Sequence, residues 1–325
     1  MKTQAKIAKI ASTPHFSEMR VGVGEGLMEL GKTNPKVMVL TADLSESTKV
    51  SNFAKVYPKR FVEVGVAEQN MIGIAAGLAH EGKIPFCASF AVFSPGRTWE
   101  QIRLSVCYSK NNVKIIGSHA GISAGLDGAT HQGLEDIALT RVLPNMKVLV
   151  PADALQAKKA IVLAAETEGP VYIRISRSAL ALFTPVEQVL EFGKAAILRS
   201  GKHATIAAAG PQLYYALQAA EELSKQKIEC EVLDMVSIKP LDEATLIKSV
   251  KKTGCLVSAE EHQVAGGLGS AMAEVLSKNF PVPQEYVGMN DHFSESGKPE
   301  ELSVKWGMDG FAILQAVKIA IKRKK

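Results

Sequence analysis

Three features of the sequence predict an α/β fold of two domains, each a doubly wound and mainly parallel sheet. Short apolar runs such as Val37–Ala42, Ile84–Phe90 and Val171–Ile175 alternate with longer segments whose apolar residues recur at helical spacing. Alternation of that kind sets consecutive strands parallel and puts helices on both faces. The chain has 325 residues, 46% of them hydrophobic, which is enough for two separate cores. The stretch Ser178–Gly193 carries Pro185 and has no clear period, so it reads as a link. The expected boundaries are 1–180 for the first domain, 181–193 for the linker and 194–325 for the second domain.

In chain order, residues 1–16 are a basic, weakly patterned lead-in. Ser17 is placed to cap a helix from Glu18 to about Leu30, with Gly31 closing it. This segment contains Gly22, Gly24 and Gly26, but the third glycine stands one position too early for a dinucleotide fingerprint and no strand is predicted before it. Val37–Ala42 is a strand that ends in the acidic-polar loop Asp43–Ser47. Phe61–Val64 is a short strand stopped by Gly65, and Ala67–His80 carries Met71, Ile74, Ala75 and Leu78 at helical spacing. Gly82 ends that helix and Ile84–Phe90 resumes as a buried strand. Gly96–Ser109 follows as a helix with Trp99, Ile102 and Val106 on one face, then the strand Val113–Ile116. Next come the loop Ser118–Gly133, strand Met146–Val150, helix Ala152–Glu166 and strand Val171–Ile175. The second domain reads as strands Thr205–Ala209, Glu229–Leu233 and Cys255–Ala259. Its helices are Gln212–Lys225, Asp242–Val250, Leu268–Leu276 and Phe311–Ile321. The polar loop Glu260-Glu261-His262 before Gly266-Gly267 is expected to be a structural turn, the alternative being a contact with the active site.

The net charge of +5 is carried largely by the ends, at Lys2, Lys6, Lys9, Lys318, Lys322, Arg323, Lys324 and Lys325. Such tails read as solvated ends; no basic patch interleaved with aromatics points to nucleic acid. Cys87, Cys107, Cys230 and Cys255 lack metal or redox spacing and read as buried thiols. With no apolar run long enough to span a bilayer and no apolar signal core, the expectation is a cytoplasmic protein without a membrane partner.

The stretch Phe61–Phe93 organises the candidate chemistry. Glu68 is the one carboxylate in the first turn of an otherwise apolar helix. It is either a helix-start residue favoured by the dipole or a half-buried acid near the carboxyl end of a strand, where α/β sheets place ligands. The loop after Ser118 holds four glycines with His119, Asp127 and His131, so backbone there can approach a ligand closely. The intervals between these three polar residues fit no standard zinc pattern, and no metal ligand is expected in this chain.

Gly65-Val66-Ala67-Glu68-Gln69-Asn70, the apolar helix that follows and Ser89-Phe90-Ala91-Val92-Phe93 together resemble the pyrimidine-binding domain of transketolases. The resemblance runs from about Arg20 to the C-terminus and is to the C-terminal half of a full-length transketolase. It implies one subunit of a split enzyme built on the thiamine diphosphate-binding fold, with a transketolase C-terminal domain behind it. By resemblance, Glu68 shares a proton with the aminopyrimidine ring, Phe90 stacks on that ring and Phe93 lines the pocket. Asp43 lies near the cofactor at a subunit interface. His119 binds the acceptor or a substrate phosphate, Asp127 bonds a substrate hydroxyl, and His131 contacts the donor's oxygens and helps proton transfer. Arg20, Ser47 and Arg177 match the positions that hold the phosphate of a sugar phosphate, work suited to arginine's planar fork.

Two departures from the family stand out. Ser94-Pro95-Gly96 replaces a common aromatic, and Leu126 replaces a glutamate before Asp127. A larger one is that no Gly-Asp-Gly motif with its following asparagine is present, so magnesium (or calcium) and the diphosphate are expected to be held mainly by a partner. That partner is an N-terminal transketolase subunit, in an assembly expected to be a heterotetramer. The competing readings are a 1-deoxyxylulose-5-phosphate synthase-like subunit, a 2-oxoacid dehydrogenase beta-like subunit and a non-catalytic scaffold. The Asp127–Gly133 stretch and His119 favour a transketolase subunit that moves a two-carbon ketol unit from ketose phosphate to aldose phosphate.

Overall fold

The computed structural model describes residues 15–324. The lead-in basic residues Lys2, Lys6 and Lys9, and Lys325 at the other end, lie outside the described residues. The chain is α/β, with two main sheets that are mostly parallel. In chain order the strands are β1 (Phe16–Glu18), β2 (Val37–Thr41), β3 (Phe61–Glu63), β4 (Ile84–Phe90), β5 (Lys114–Ser118), β6 (Lys147–Leu149) and β7 (Val171–Arg174). They continue with β8 (Ala179–Ala181), β9 (Ala196–Arg199), β10 (Ala204–Ala208), β11 (Cys230–Asp234), β12 (Ser237–Lys239), β13 (Leu256–Gln263) and β14 (Gln284–Met289).

The larger sheet has the order β12-β6-β7-β5-β4-β2-β3. All its pairings are parallel except that of β12 with β6. β4 and β5 are buried at every position, as expected of central parallel strands covered on both faces. Lys114 opens β5 yet is fully buried. Its Nζ donates to Asn112 Oδ1, Thr167 O and Gly169 O, and burial pulls its pKa down to about 7. The smaller sheet has the order β14-β13-β10-β11-β9, antiparallel only between β11 and β9. One apolar cluster runs from Leu40 and Met71 through Ala207 and Leu233 to Leu276, so the two sheets share a continuous core.

Several sequence expectations are corrected here. Glu18 does not begin a helix capped by Ser17. Phe16–Glu18 pairs antiparallel with Ala179–Ala181 of the expected linker, and the helix runs Met19–Thr33 with Glu18 as its cap residue. Gly31 does not close the helix but lies inside it, where the Tyr57 ring occupies the space a Cβ would need. Gly22, Gly24 and Gly26 of the same helix are packing glycines. A Cβ on Gly22 would strike the Ala154 carbonyl and one on Gly26 would meet Ile161, so their absence lets this helix lie against helix Ala154–Glu166.

The segment expected as helix Gly96–Ser109 is irregular: the turn Val92–Arg97 is kinked by extended backbone at Ser94, Trp99–Gln101 is α-helical and Ile102–Tyr108 is wound as π-helix, with Ile102 and Val106 buried. Glu260, Glu261 and His262 belong to β13 and are buried, so they form no turn. The C-terminal basic residues are only partly solvated. Arg323 donates to Gln284 O at 3.1 Å and Lys324 reaches the His203 carbonyl. All four cysteines are buried and unpaired. No helix among the described residues is long and apolar enough to cross a membrane.

Candidate active site

The carboxyl ends of β2, β3, β4, β5 and β7 share one edge of the larger sheet, and the segments leaving them carry every residue singled out in the sequence except Arg20. Arg20 reaches this edge from the start of helix Met19–Thr33 by donating to the Ser47 carbonyl at 2.9 Å. Parallel strands align their carboxyl ends, so residues far apart in sequence converge there.

Glu68 is the first residue of helix Glu68–His80 and only 2% exposed. Its Oε2 accepts from Arg97 Nη1 at 2.6 Å, and the same guanidinium lies 4.7 Å from the centre of the Phe93 ring. Phe90 ends β4, and Phe93 follows in the kinked turn with its ring stacked on Phe90 at 5.9 Å between centroids, 16° from parallel. His119 stacks on the other side of this group, 3.9 Å from Phe90. His131 meets both phenylalanines edge-on, at 6.2 and 5.4 Å. Glu68, Phe90, Phe93, His119 and His131 therefore form one group, with Arg97 joining the carboxylate to the rings.

The two histidines differ in electrostatics. His119 is buried with φ +55°, and its Nδ1 is hydrogen-bonded to Ser118 Oγ at 2.9 Å. Burial, reinforced by the charges of Arg20, Arg177 and His131, pushes its pKa down to about 3, so it is neutral at physiological pH. A neutral imidazole offers hydrogen bonds and no charge. Such hydrogen bonds are what the binding role expected of His119 calls for. His131 is half-buried, with Nδ1 bonded to Thr130 Oγ1 at 2.9 Å.

The arginines sit beside this group and are already engaged. Arg20 donates to both carboxylate oxygens of Glu18, at 2.9 and 2.7 Å. That bond is the main reason the Glu18 carboxyl titrates below its usual range. Arg177 donates to Ala124 O at 2.7 Å and to Asp127 Oδ2 at 3.0 Å. Asp43, with φ +61°, is exposed, and its N–H donates to Glu63 Oε1 at 2.7 Å. It has no recorded contact with the aromatic group. Leu126 is 73% exposed and Gly96 is also exposed, so both positions that depart from the family pattern face outward in this chain.

Sequence reading missed Glu18 and Arg97. Glu18 stands only two residues before Arg20, a spacing that could have flagged an ion pair. Arg97 follows the aromatic pair by one helical turn, which is a weaker signal. Glu261 belongs to the polar run Glu260-Glu261-His262, for which the sequence offered contact with the site as the alternative to a turn, and it reaches the site loop across 138 residues of sequence. Among the described residues no group of three or more His, Cys, Asp or Glu is placed to hold a metal ion.

Comparison with known proteins places this geometry in context. The family model described as transketolase, pyrimidine binding domain, matches residues 17–181, and that described as transketolase, C-terminal domain, matches residues 193–313. A putative transketolase C-terminal section from Methanocaldococcus jannaschii is 45% identical over 312 residues, covering 95% of this chain and 98% of that protein. A 6-deoxy-6-sulfo-D-fructose transketolase subunit from a Clostridium species is 43% identical over 298 residues, covering 92% of each. Among solved structures, one titled a split gene transketolase, inactive beta4 tetramer, superposes with a TM-score of 0.89 at 50% identity. The match covers 95% of this chain and 99% of that one.

Proposed function

Because the chain belongs to the transketolase family, we propose that it is the pyrimidine-binding and C-terminal half of a split transketolase. In this reading it is a transferase that moves a two-carbon ketol unit from ketose phosphate to aldose phosphate once an N-terminal subunit completes its cofactor site. The observation that carries the proposal is Glu68: a buried carboxylate at a helix start, one guanidinium away from the stacked Phe90–Phe93 pair. An acid and an aromatic wall are what the aminopyrimidine half of thiamine diphosphate requires, so this half of the cofactor fits the residues present. The diphosphate and its magnesium (or calcium) are assigned to the partner, because this chain carries no Gly-Asp-Gly motif.

When bound, thiamine diphosphate supplies the electron sink for cleaving and forming the carbon–carbon bond. In this reading Glu68 shares a proton with a ring nitrogen of the pyrimidine, Phe90 stacks on the ring, and Phe93 closes the pocket to water. Asp43 lies at the edge facing the partner. His119, neutral, donates or accepts a hydrogen bond to substrate, while His131 holds a proton at the donor's oxygen. Arg20, Ser47 and Arg177 grip the terminal phosphate, and Asp127 reads a hydroxyl. The aligned M. jannaschii relative is named as a C-terminal section, and the superposed tetramer, built on a split gene, is titled inactive. Both support a requirement for a partner, and the tetramer supports self-association of such a chain; the proposal extends this to a heterotetramer in the cytoplasm.

The test is to co-express this chain with an N-terminal transketolase subunit from the same genome. Size is then measured, followed by ketol transfer with a panel of phosphorylated and sulfonated ketoses. The expected result is a stable heteromer, dependent on thiamine diphosphate and magnesium, that is active on at least one ketose, with neither chain active alone. A stable heteromer that binds the cofactor and transfers no ketol unit would overturn the proposal.

A further inference from the structure

The loop that carries Asp127 and His131 is held from both domains, and the second domain supplies a distinct set of its contacts. Glu261, in β13 of the smaller sheet, accepts at Oε1 from the Ser123 N–H at 2.8 Å. Ser123 is a junction. Its Oγ donates to Ala120 O at 2.7 Å and accepts from the Arg177 N–H at 3.0 Å. Gly121 (φ +72°) lies so close that a Cβ there would come within 2.5 Å of the Glu261 carboxyl carbon. Arg174 Nη2 donates to the Glu261 carbonyl at 2.6 Å, and its Nη1 stands 3.8 Å from Glu261 Oε2. On the far side of the loop, Gln132 Nε2 donates to Glu295 O at 2.9 Å, and Gln263 N–H donates to Leu134 O at 2.8 Å. Ile122 and Leu134 pack with Met289, Leu302 and Met308.

We propose that the second domain serves as the template of the substrate loop and that Glu261 is the positioning residue of this contact. Through Ser123 it sets the backbone from which Arg177 and Asp127 reach the substrate. Glu261 touches no substrate itself. Glu68, Phe90 and Phe93 come from other elements, so loss of the contact should loosen sugar binding and leave cofactor binding in place. The proposal gives the second domain a part in specificity, and its kinetic arm rests on the ketol-transfer reading.

Glu261 is fully enclosed, and burial raises its pKa to about 7 against the pull of Arg174. Asp136, Tyr215 and Glu300 are the other titratable groups that face it or its cavity. Its contact with Ser123 needs only an acceptor oxygen, which Glu261→Gln retains. Glu261→Asp keeps the carboxylate but draws it back from Ser123 by one methylene. The two variants therefore separate position from charge.

In the reconstituted enzyme, E261D is expected to raise KM for the sugar phosphate about tenfold, with kcat and cofactor affinity within about twofold of wild type. E261Q is expected to stay within about threefold of wild type. Hydrogen exchange on the isolated chain gives a readout independent of activity. The amides of residues 119–134 should exchange faster in E261D than in E261Q, with β5 and β7 unchanged in both. Equal loop exchange in the two variants, or an E261Q defect as large as that of E261D, overturns the proposal. An inactive wild-type heteromer would sink the ketol-transfer reading alone, and the exchange comparison would still decide the role of Glu261.

Discussion

Replacing Glu68 by glutamine separates chemistry from folding at a single atom. Glu68 has one recorded polar side-chain partner, the Arg97 guanidinium at 2.6 Å, and that guanidinium is 47% exposed. A hydrogen bond to a charged group contributes about 1.5–3 kcal/mol when both ends are buried. With one end in solvent, the contribution falls to about 1 kcal/mol. Glutamine retains an acceptor oxygen and the shape of the side chain, so E68Q should lower the midpoint of thermal unfolding by about 2–4 °C. Its effect on turnover should be of another order, because an amide cannot share a proton with the pyrimidine. General acid–base contributions run from about a hundredfold to ten-thousandfold, and kcat should fall within that range while the heteromer still assembles. The assays are differential scanning fluorimetry, size exclusion with the partner, and ketol transfer at saturating substrate. Retention of more than about a tenth of wild-type kcat would refute proton sharing by Glu68. A loss of several kcal/mol in stability would instead make it a structural residue.

Two further outcomes follow from the same contacts. His119 ordinarily titrates at 6.5 and does so at about 3 when folded, so its contribution to stability is complete above about pH 6.5 and is lost as pH falls through about 3. His119→Asn, which tolerates the positive φ, should flatten the acid limb of a denaturant-stability profile between those values; an unchanged limb would show that His119 is not the group responsible. Arg174→Met leaves the Asp136 carboxylate buried with only the Tyr172 hydroxyl donating to it, at 2.7 Å. Urea unfolding should show a loss of about 3–5 kcal/mol, with part of it recovered in the Arg174→Met, Asp136→Asn double variant; strictly additive losses would mean the pair is not coupled.

Most of the larger sheet was legible because central parallel strands are apolar throughout. Ile84–Phe90 is predicted and found with the same bounds, and Val37–Ala42 ends one residue sooner, at Thr41. Of the three-residue strands, β3 and β6 were read from their apolar runs, whereas β1, β8 and β12 were not legible, since they show no period and form only by pairing with distant backbone. Glu260-Glu261-His262 misled for a related reason. A polar run reads as a turn, yet here each side chain has a buried partner. Glu260 accepts from the Leu268 and Gly269 amides, Glu261 from Ser123, and His262 from the Ala138 amide. Of the candidate site, Glu68, Phe90, Phe93 and His119 converge because each ends a strand, follows its carboxyl end or leads the next helix, and His131 is brought back to them by the long loop after β5. Arg97 and Glu18 were passed over because their importance lies in what their guanidinium or carboxylate touches.

The arginines of the site change how anion binding there should be understood. Arg20 spends two donors on Glu18 and a third on the Ser47 carbonyl, and Arg177 spends one nitrogen on Ala124 and Asp127. Neither is a bare charge awaiting phosphate. Even so, both still lower the pKa of His119, so their field reaches the aromatic group despite the paired carboxylates. On the phosphate reading, binding is then an exchange in which the incoming oxygens take over donors from Glu18 or Asp127. Because one carboxylate contact is surrendered for each gained, charge alone contributes little net affinity. What remains to discriminate ligands is geometry: how well the oxyanion spans the two guanidinium planes and the Ser47 backbone that fixes one of them. On the same reading, selectivity among sugars rests on the backbone that carries these groups, and for Arg177 that backbone is hydrogen-bonded to Ser123, which is in turn held by Glu261.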